Sequence, residues 1–401
     1  MLKKFLCFLL MVAVVILTIP AKTHAAVLPW EAMVNPTQTD LRAPGFGDDT
    51  NVFVVSTATF NNYLYVATYN DGAGTEIWRT NNGTSWEQSN QDNFGSAPLT
   101  GFVALGVFGG QLYAFRAQLG PFGVDAFRTS NGTTWELAKA DIANDLGASL
   151  PYNVVTYGGS LYVSLSNTAG HGIIMSSNDG VTWVLRYERD ILDSYIQSMT
   201  TFKGKLYFGL TSGVTGGEVY SFDGTNWTLD NINGFDNGDN LDISSLTEFN
   251  GSLYATTNNA VTGVEVWRTL GDSVWQRVAN TGFTQNLATA TSYSSKVFKG
   301  YLYVGGQSSK IFRTADGTNW EQVNADGFGY ADNELITFGI LGDYLYAGVG
   351  SVPELVGVQT VEIYRYGTAP ASTVLTILPA TGTRNFFDFV LSYISSFLGK
   401  F

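Results

Sequence analysis

Apolar and polar residues alternate along this chain in short runs set apart by Gly, Asn and Asp, and the runs return in the same order many times. One apolar run closes on an aromatic residue, at Phe60, Phe108, Tyr157, Phe202, Phe249 and Phe298. Two turn residues follow, such as Gly109-Gly110, Asn250-Gly251 or Lys299-Gly300, and a second run then opens with Leu-Tyr. A two-residue turn needs positive φ, which Gly and Asn supply, so each pair of runs predicts a hairpin. A variable polar loop leads to a third run, read as Glu76-Ile77-Trp78-Arg79, Glu218-Val219-Tyr220, Glu265-Val266-Trp267-Arg268 and Glu362-Ile363-Tyr364-Arg365. A second tight turn and a Trp open the fourth run, as in Gly83-Thr84-Ser85-Trp86, Gly132-Thr133-Thr134-Trp135 and Gly317-Thr318-Asn319-Trp320.

The Leu-Tyr pair marks seven copies, at Leu64, Leu112, Leu161, Leu206, Leu253, Leu302 and Leu345, spaced by 48, 49, 45, 47, 49 and 43 residues. A period in the forties with four strand-like runs per copy predicts an all-β fold, a seven-bladed β-propeller of four-stranded antiparallel blades. The seventh copy stops after Tyr364-Arg365-Tyr366 and lacks its fourth run. That run is found at the other end, where Trp30-Glu31-Ala32-Met33-Val34-Asn35 echoes Trp320-Glu321-Gln322-Val323-Asn324. The N-terminal strand is therefore expected to complete the last blade, which pairs edges that would otherwise stand open. The propeller is expected to span residues 26–366 as one ring.

Residues 1–25 read as a secretory signal peptide: Lys3 and Lys4, an apolar run from Phe5 to Ile19, and small residues that place cleavage after Ala25 or Ala26. The chain carries a net charge of −13. Removing residues 1–25 takes Lys3, Lys4 and Lys22 and no acid, leaving 18 basic and 34 acidic residues, a charge of −16. Such a charge disfavours nucleic acid and anionic lipid surfaces as partners. The one Cys leaves with the signal, so core packing and ring closure must hold the exported chain without disulfides.

A linker over residues 367–377 leads to Leu378-Pro379-Ala380-Thr381-Gly382. This pentapeptide resembles the LPxTG sorting signal of Gram-positive-type surface proteins, with residues 378–401 as the sorting segment. The resemblance implies cutting between Thr381 and Gly382 by a sortase, with peptidoglycan as acceptor and the cell wall as final address. The apolar stretch Phe386 to Leu398 is short for a spanning helix and contains Asp388, and a single basic residue, Lys400, follows it. The other reading of this tail is an amphipathic helix, capped at Asn385, lying on a membrane surface or on the ring.

The turn before each fourth run resembles the Asp-box, or BNR, repeat of sialidase-like propellers, nearest at Ser176-Ser177-Asn178-Asp179-Gly180-Val181-Thr182-Trp183. A sialidase would further need Arg residues converging at the ring centre, whereas the repeated Arg79, Arg128 and Arg313 follow the third run toward the rim. Fold likeness alone does not carry an activity. Copper and zinc need several His or Cys ligands, and the exported chain has only His171, in the loop Gly170-His171-Gly172.

The connectors between copies hold the candidate ligand-binding residues Phe46, Phe94, Phe235, Phe283, Phe328 and Tyr330, with His171 on a loop of the same face. Phe beside Asp and Asn could stack on a sugar ring; recurrence in five connectors equally suits a structural plug between blades. Asp236, Asp239 and Asp242 could coordinate calcium, and no other cofactor is expected. These features favour a secreted, monomeric, non-catalytic module that binds a glycan or protein. The alternatives are an extracellular polysaccharide hydrolase or lyase, which needs convergent catalytic groups at the centre, and a surface spacer. Replacing Thr381 with Ala is expected to move the protein from the wall fraction to membrane or medium in cell fractionation; persistence in the wall would refute sorting at this bond.

Overall fold

The computed structural model describes residues 30–34, 44–70, 72–96, 101–119, 122–143, 146–191, 194–259, 261–279, 294–306, 309–329, 335–350 and 360–367. Ala25, Ala26, Phe283, Tyr330 and Leu378 to Gly382 lie outside them.

Seven four-stranded antiparallel sheets follow one another along the chain. Blade 1 is Asn51–Phe60, Tyr63–Asn70, Glu76–Thr80 and Glu87–Gln88, and each later blade repeats this order from the innermost strand outward. Inner strands of blades 2 to 7 are Val103–Phe108, Ala148–Tyr157, Ser194–Phe202, Asn240–Phe249, Ser295–Phe298 and Leu335–Leu341. Blade 7 draws its outermost strand, Glu31–Val34, from the start of the chain, where it pairs with Glu362–Gly367 through Glu31↔Arg365 and Ala32↔Tyr364. The fold is thus a seven-bladed β-propeller closed by its N-terminal strand.

The hairpin turns carry the conformation that their residue types suggest. Asn61-Asn62 (φ 48° and 61°), Gly109-Gly110 (57° and 73°), Asn250-Gly251 (48° and 73°) and Lys299-Gly300 (46° and 77°) all sit in the left-handed region. At the second turn a hydroxyl and an amide or carboxylate do the capping. Thr80 Oγ1 accepts from Gly83 N at 2.8 Å, and Asn82 Oδ1 accepts from the backbone N–H groups of Thr84 and Ser85, both at 2.8 Å. Ser177 with Asp179 and Thr314 with Asp316 repeat the arrangement, and these backbone bonds hold the Asp179 and Asp316 carboxyls well below the usual range.

The repeated Tyr and Gly meet across blades. A Cβ built on Gly132 of blade 2 would stand 1.8 Å from the hydroxyl of Tyr65 in blade 1. The same relation joins Tyr113 to Gly180, Tyr254 to Gly317 and, across the closure, Tyr346 to Gly83. These tyrosines are almost fully buried, so four of the seven Leu-Tyr strands press a ring against a turn with room only for glycine. The fourth-strand indoles add a second link to the preceding blade: Trp135 Nε1 donates to Ser89 O at 3.1 Å, Trp227 to Arg186 O at 3.0 Å, and Trp30 to Val323 O at 3.0 Å. Inner-strand hydroxyls form a third. Thr57 Oγ1 donates to Phe338 O at 2.7 Å and Thr337 Oγ1 to Val54 O at 2.9 Å, which closes the ring at its axis.

Gly132→Ala is expected to destabilise the ring by about 1–3 kcal/mol through overpacking against Tyr65, with further strain from positive φ. In urea denaturation, adding Tyr65→Phe should recover part of that loss, and a loss indifferent to Tyr65 would refute the contact as the cause.

Candidate functional site

The connector phenylalanines are placed by backbone conformation before anything else. Gly45-Phe46, Asn93-Phe94, Gly234-Phe235 and Gly327-Phe328 are each a pair of left-handed residues, with φ between 46° and 63°. Such a conformation is costly for a Phe and persists only where its surroundings hold it. What holds it is a ring stack in the blade that follows. Phe46 lies on Trp78 with centroids 4.6 Å apart, Phe94 on Phe127 at 4.0 Å, Phe235 on Trp267 at 4.6 Å and Phe328 on Tyr364 at 4.0 Å. The edge of each ring then meets the fourth-strand Trp86, Trp135, Trp275 or Trp30. Phe46 is 2% exposed and Phe235 6%, so neither ring offers a free face to a sugar. Phe94 and Phe328 make the same stack and are half-buried.

The acid of the third strand anchors the same connectors. In blade 1, Asn51 donates through Nδ2 to Glu76 Oε2 at 2.7 Å and to Gly45 O at 2.9 Å, and Trp78 Nε1 also donates to Glu76 Oε2 at 2.9 Å. Blade 5 repeats it with Asn240, Glu265, Gly234 and Trp267. In blade 2 a buried Arg116 takes over, bonding Asp125 Oδ2 at 2.6 Å and donating to Asn93 O at 2.7 Å. Burial pushes the Glu76 carboxyl upward despite its hydrogen bonds. These carboxylates are structural clamps, occupied by the chain itself.

Asp236, Asp239 and Asp242 do not converge. Asp236 and Asp239 are exposed in the connector, whereas Asp242 is buried one step into the inner strand and accepts from Asn258 N at 2.8 Å. Among the described residues no three His, Cys, Asp or Glu side chains gather as a metal site. His171 sits beside Glu188 Oε1 at 3.5 Å and Asp190 Oδ1 at 3.3 Å, two side chains of its own blade.

The cavity of the ring is its central channel, about 490 Å³, walled by all seven inner strands. Phe53, Phe102 and Tyr152 line it and are half-buried. Around them Phe53 stacks on Tyr69 at 4.9 Å, Phe102 meets Tyr69 edge-on at 5.1 Å, and Tyr152 leans on Tyr195 at 6.2 Å. Desolvation raises the Tyr152 phenol to about 12, which keeps it a neutral O–H donor. Asn153, Gln197, Ser198, Ser244, Ser245, Thr247, Ser295 and Thr337 supply amides and hydroxyls. The one charged side chain among the described lining residues is Lys296, and desolvation by the surrounding strands lowers its ammonium below the usual lysine range.

Lys296 was not singled out by the repeat pattern, though the signal was present. Two places before the aromatic end of the inner strand stand Ala58, Gly106, Val155, Thr200 and Thr247, and only the sixth copy puts a charge there. A repeat displays its functions where a copy departs from the others.

No family model matches the chain, and no curated protein sequence does. Among solved structures it is similar to the BP39L lectin from Burkholderia pseudomallei, at 9% identity and TM-score 0.59 over 80% of this chain and 97% of the other. It is also similar to YCF48 bound to a D1 peptide (12% identity, TM-score 0.58, 85% and 97% covered). A polysaccharide lyase of the ulvan-lyase type, solved with a glucuronate-containing saccharide, matches at 11% identity and TM-score 0.50 over 85% and 96%. At these identities the likeness is one of fold, and the propellers that share it include a lectin and a lyase.

Asp242 gives this region a pH signature. Full burial pushes its carboxyl from 3.8 to about 7, so between those values the folded ring holds a proton that the unfolded chain releases. That contribution is fully present below 3.8 and is lost as pH rises through about 7. Asp242→Asn keeps an oxygen acceptor for Asn258, so its melting temperature relative to wild type should climb between pH 4 and pH 8. A pH-independent difference would refute the assignment.

Proposed function

We propose that this protein is a non-catalytic binding propeller that takes an extracellular glycan into the mouth of its central channel. The observation that carries this reading is the lining itself, where Phe53, Phe102 and Tyr152 stand among a ring of amides and hydroxyls. Aromatic faces give a sugar apolar contact, and hydroxyls and amides pair with its hydroxyl groups. The fold shared with a lectin supports the reading without specifying a sugar.

A hydrolase reading draws on two carboxyl groups flanking the bond to be cut. The five third-strand acids Glu76, Asp125, Glu218, Glu265 and Glu362 are buried and bonded within the blades, and the described channel lining is built from other residue types. This favours binding over cleavage. We further propose an exported, wall-attached address, with sortase and peptidoglycan as processing partners; it is supported by the signal-like N-terminus and by Leu378 to Gly382.

The test is a glycan-array screen of the purified protein, joined to a reducing-end assay on every glycan retained. Retention without new reducing ends is the expected outcome, and Tyr152→Ala should weaken it at least about tenfold if the ring supplies a stacking face. Product release would overturn the non-catalytic reading, and an empty array would overturn the glycan.

A further inference from the structure

We propose that Lys296 forms a cationic subsite at the hairpin end of the channel that takes the carboxylate of an acidic sugar residue in an oligosaccharide. This inference rests on the glycan reading above and specifies its charge.

Two observations converge on it. First, Lys296 lines the channel with its side chain exposed there and makes no hydrogen bond or ion pair with the described residues, although an ammonium gains from an opposite charge. Second, Lys296 departs from the repeat, where the matching places hold small or neutral side chains. The Ser295 side chain leaves the opposite face of the strand and is bonded to Thr247 and Ser245 of the preceding blade, so the ammonium stands alone on its side of the channel wall.

Charge and distance define the ligand. The chain as a whole is strongly acidic at −13, and a polyanion would be repelled where one cation is on offer. A single carboxylate on an otherwise neutral chain fits. Phe53 pairs with Tyr69 near the far end of its hairpin, whereas Lys296 pairs with Tyr303 near the turn. By the inner-strand pattern, these positions lie five residues apart, about 16 Å at strand rise. Aromatic contact at one end and charge at the other therefore call for an oligosaccharide, with sugar rings at Phe53 and Tyr152 and the carboxylate at Lys296.

The experiment is calorimetric titration of the full chain with tetrasaccharides bearing one glucuronic or galacturonic acid, each beside its carboxyl-reduced neutral counterpart. Wild type should bind at least one acidic member about tenfold tighter than its neutral partner. Lys296→Met should lose that preference while keeping the neutral affinity and the melting temperature, and Lys296→Arg should retain it. Equal affinities in wild type, or a preference that survives Lys296→Met, would remove the anion subsite and leave the glycan reading standing. Binding of neither set, with an empty glycan array, would remove both.

Discussion

A tyrosine hydroxyl pressed against a glycine of the next blade is the contact on which this ring depends. Four times it repeats in the same form, and each time the glycine is also at positive φ, between 78° and 80° or at 76°, so the turn and the contact demand the same residue. The contact is not strong in itself. Its importance is geometric: at four of the junctions between blades it fixes how closely one sheet approaches the next. The fourth-strand indoles and the inner-strand hydroxyls tie the rim and the axis to that spacing.

The repeated machinery and the candidate site divide along a clear line. Positions that recur serve the ring: the connector Phe on its aromatic stack, the third-strand acid on its Asn or Arg, and the Asn, Asp and hydroxyl of the outer turn. Positions that differ from copy to copy face the channel. Lys296 is matched by no other charge at its place in the repeat, whereas the places of Phe53 and Tyr152 hold a second aromatic residue, Tyr195 and Tyr293, in one other copy each and unrelated side chains in the rest. A pseudo-symmetric scaffold thereby encloses an asymmetric lining, which is what one ligand in one orientation requires.

Most of the architecture was legible because it is local and repeated. The two-residue turns, the Leu-Tyr strand and the Trp of the fourth run are read within a few residues of one another, and the echo of Trp320-Glu321 at Trp30-Glu31 reveals closure. The site was less legible because it is assembled across blades. A Phe beside Asp and Asn reads equally as a platform or a plug until the ring on its face is known, and Trp78 lies 32 positions beyond Phe46. Asp236, Asp239 and Asp242 look like a cluster on paper, yet the inner strand begins at Asn240 and turns the last of them into the protein while the first two stay in the connector. Lys296 required the six inner strands with aromatic ends to be aligned on them before it stood out.

The origin of the outermost strand of blade 7 bears on how the molecule comes into being. Glu31 and Arg365 are 334 positions apart, and the register that joins them needs both ends of the ring. Loop closure over such a separation is among the last contacts a chain can make, because the entropy of the intervening segment must first be given up to nearer pairings. While the chain is still emerging, its first strand has no partner to add to, and the last blade presents an unfinished edge. The ring is thus a clasp that fastens only on a complete polypeptide, and a truncated product would carry its defect as two exposed edges.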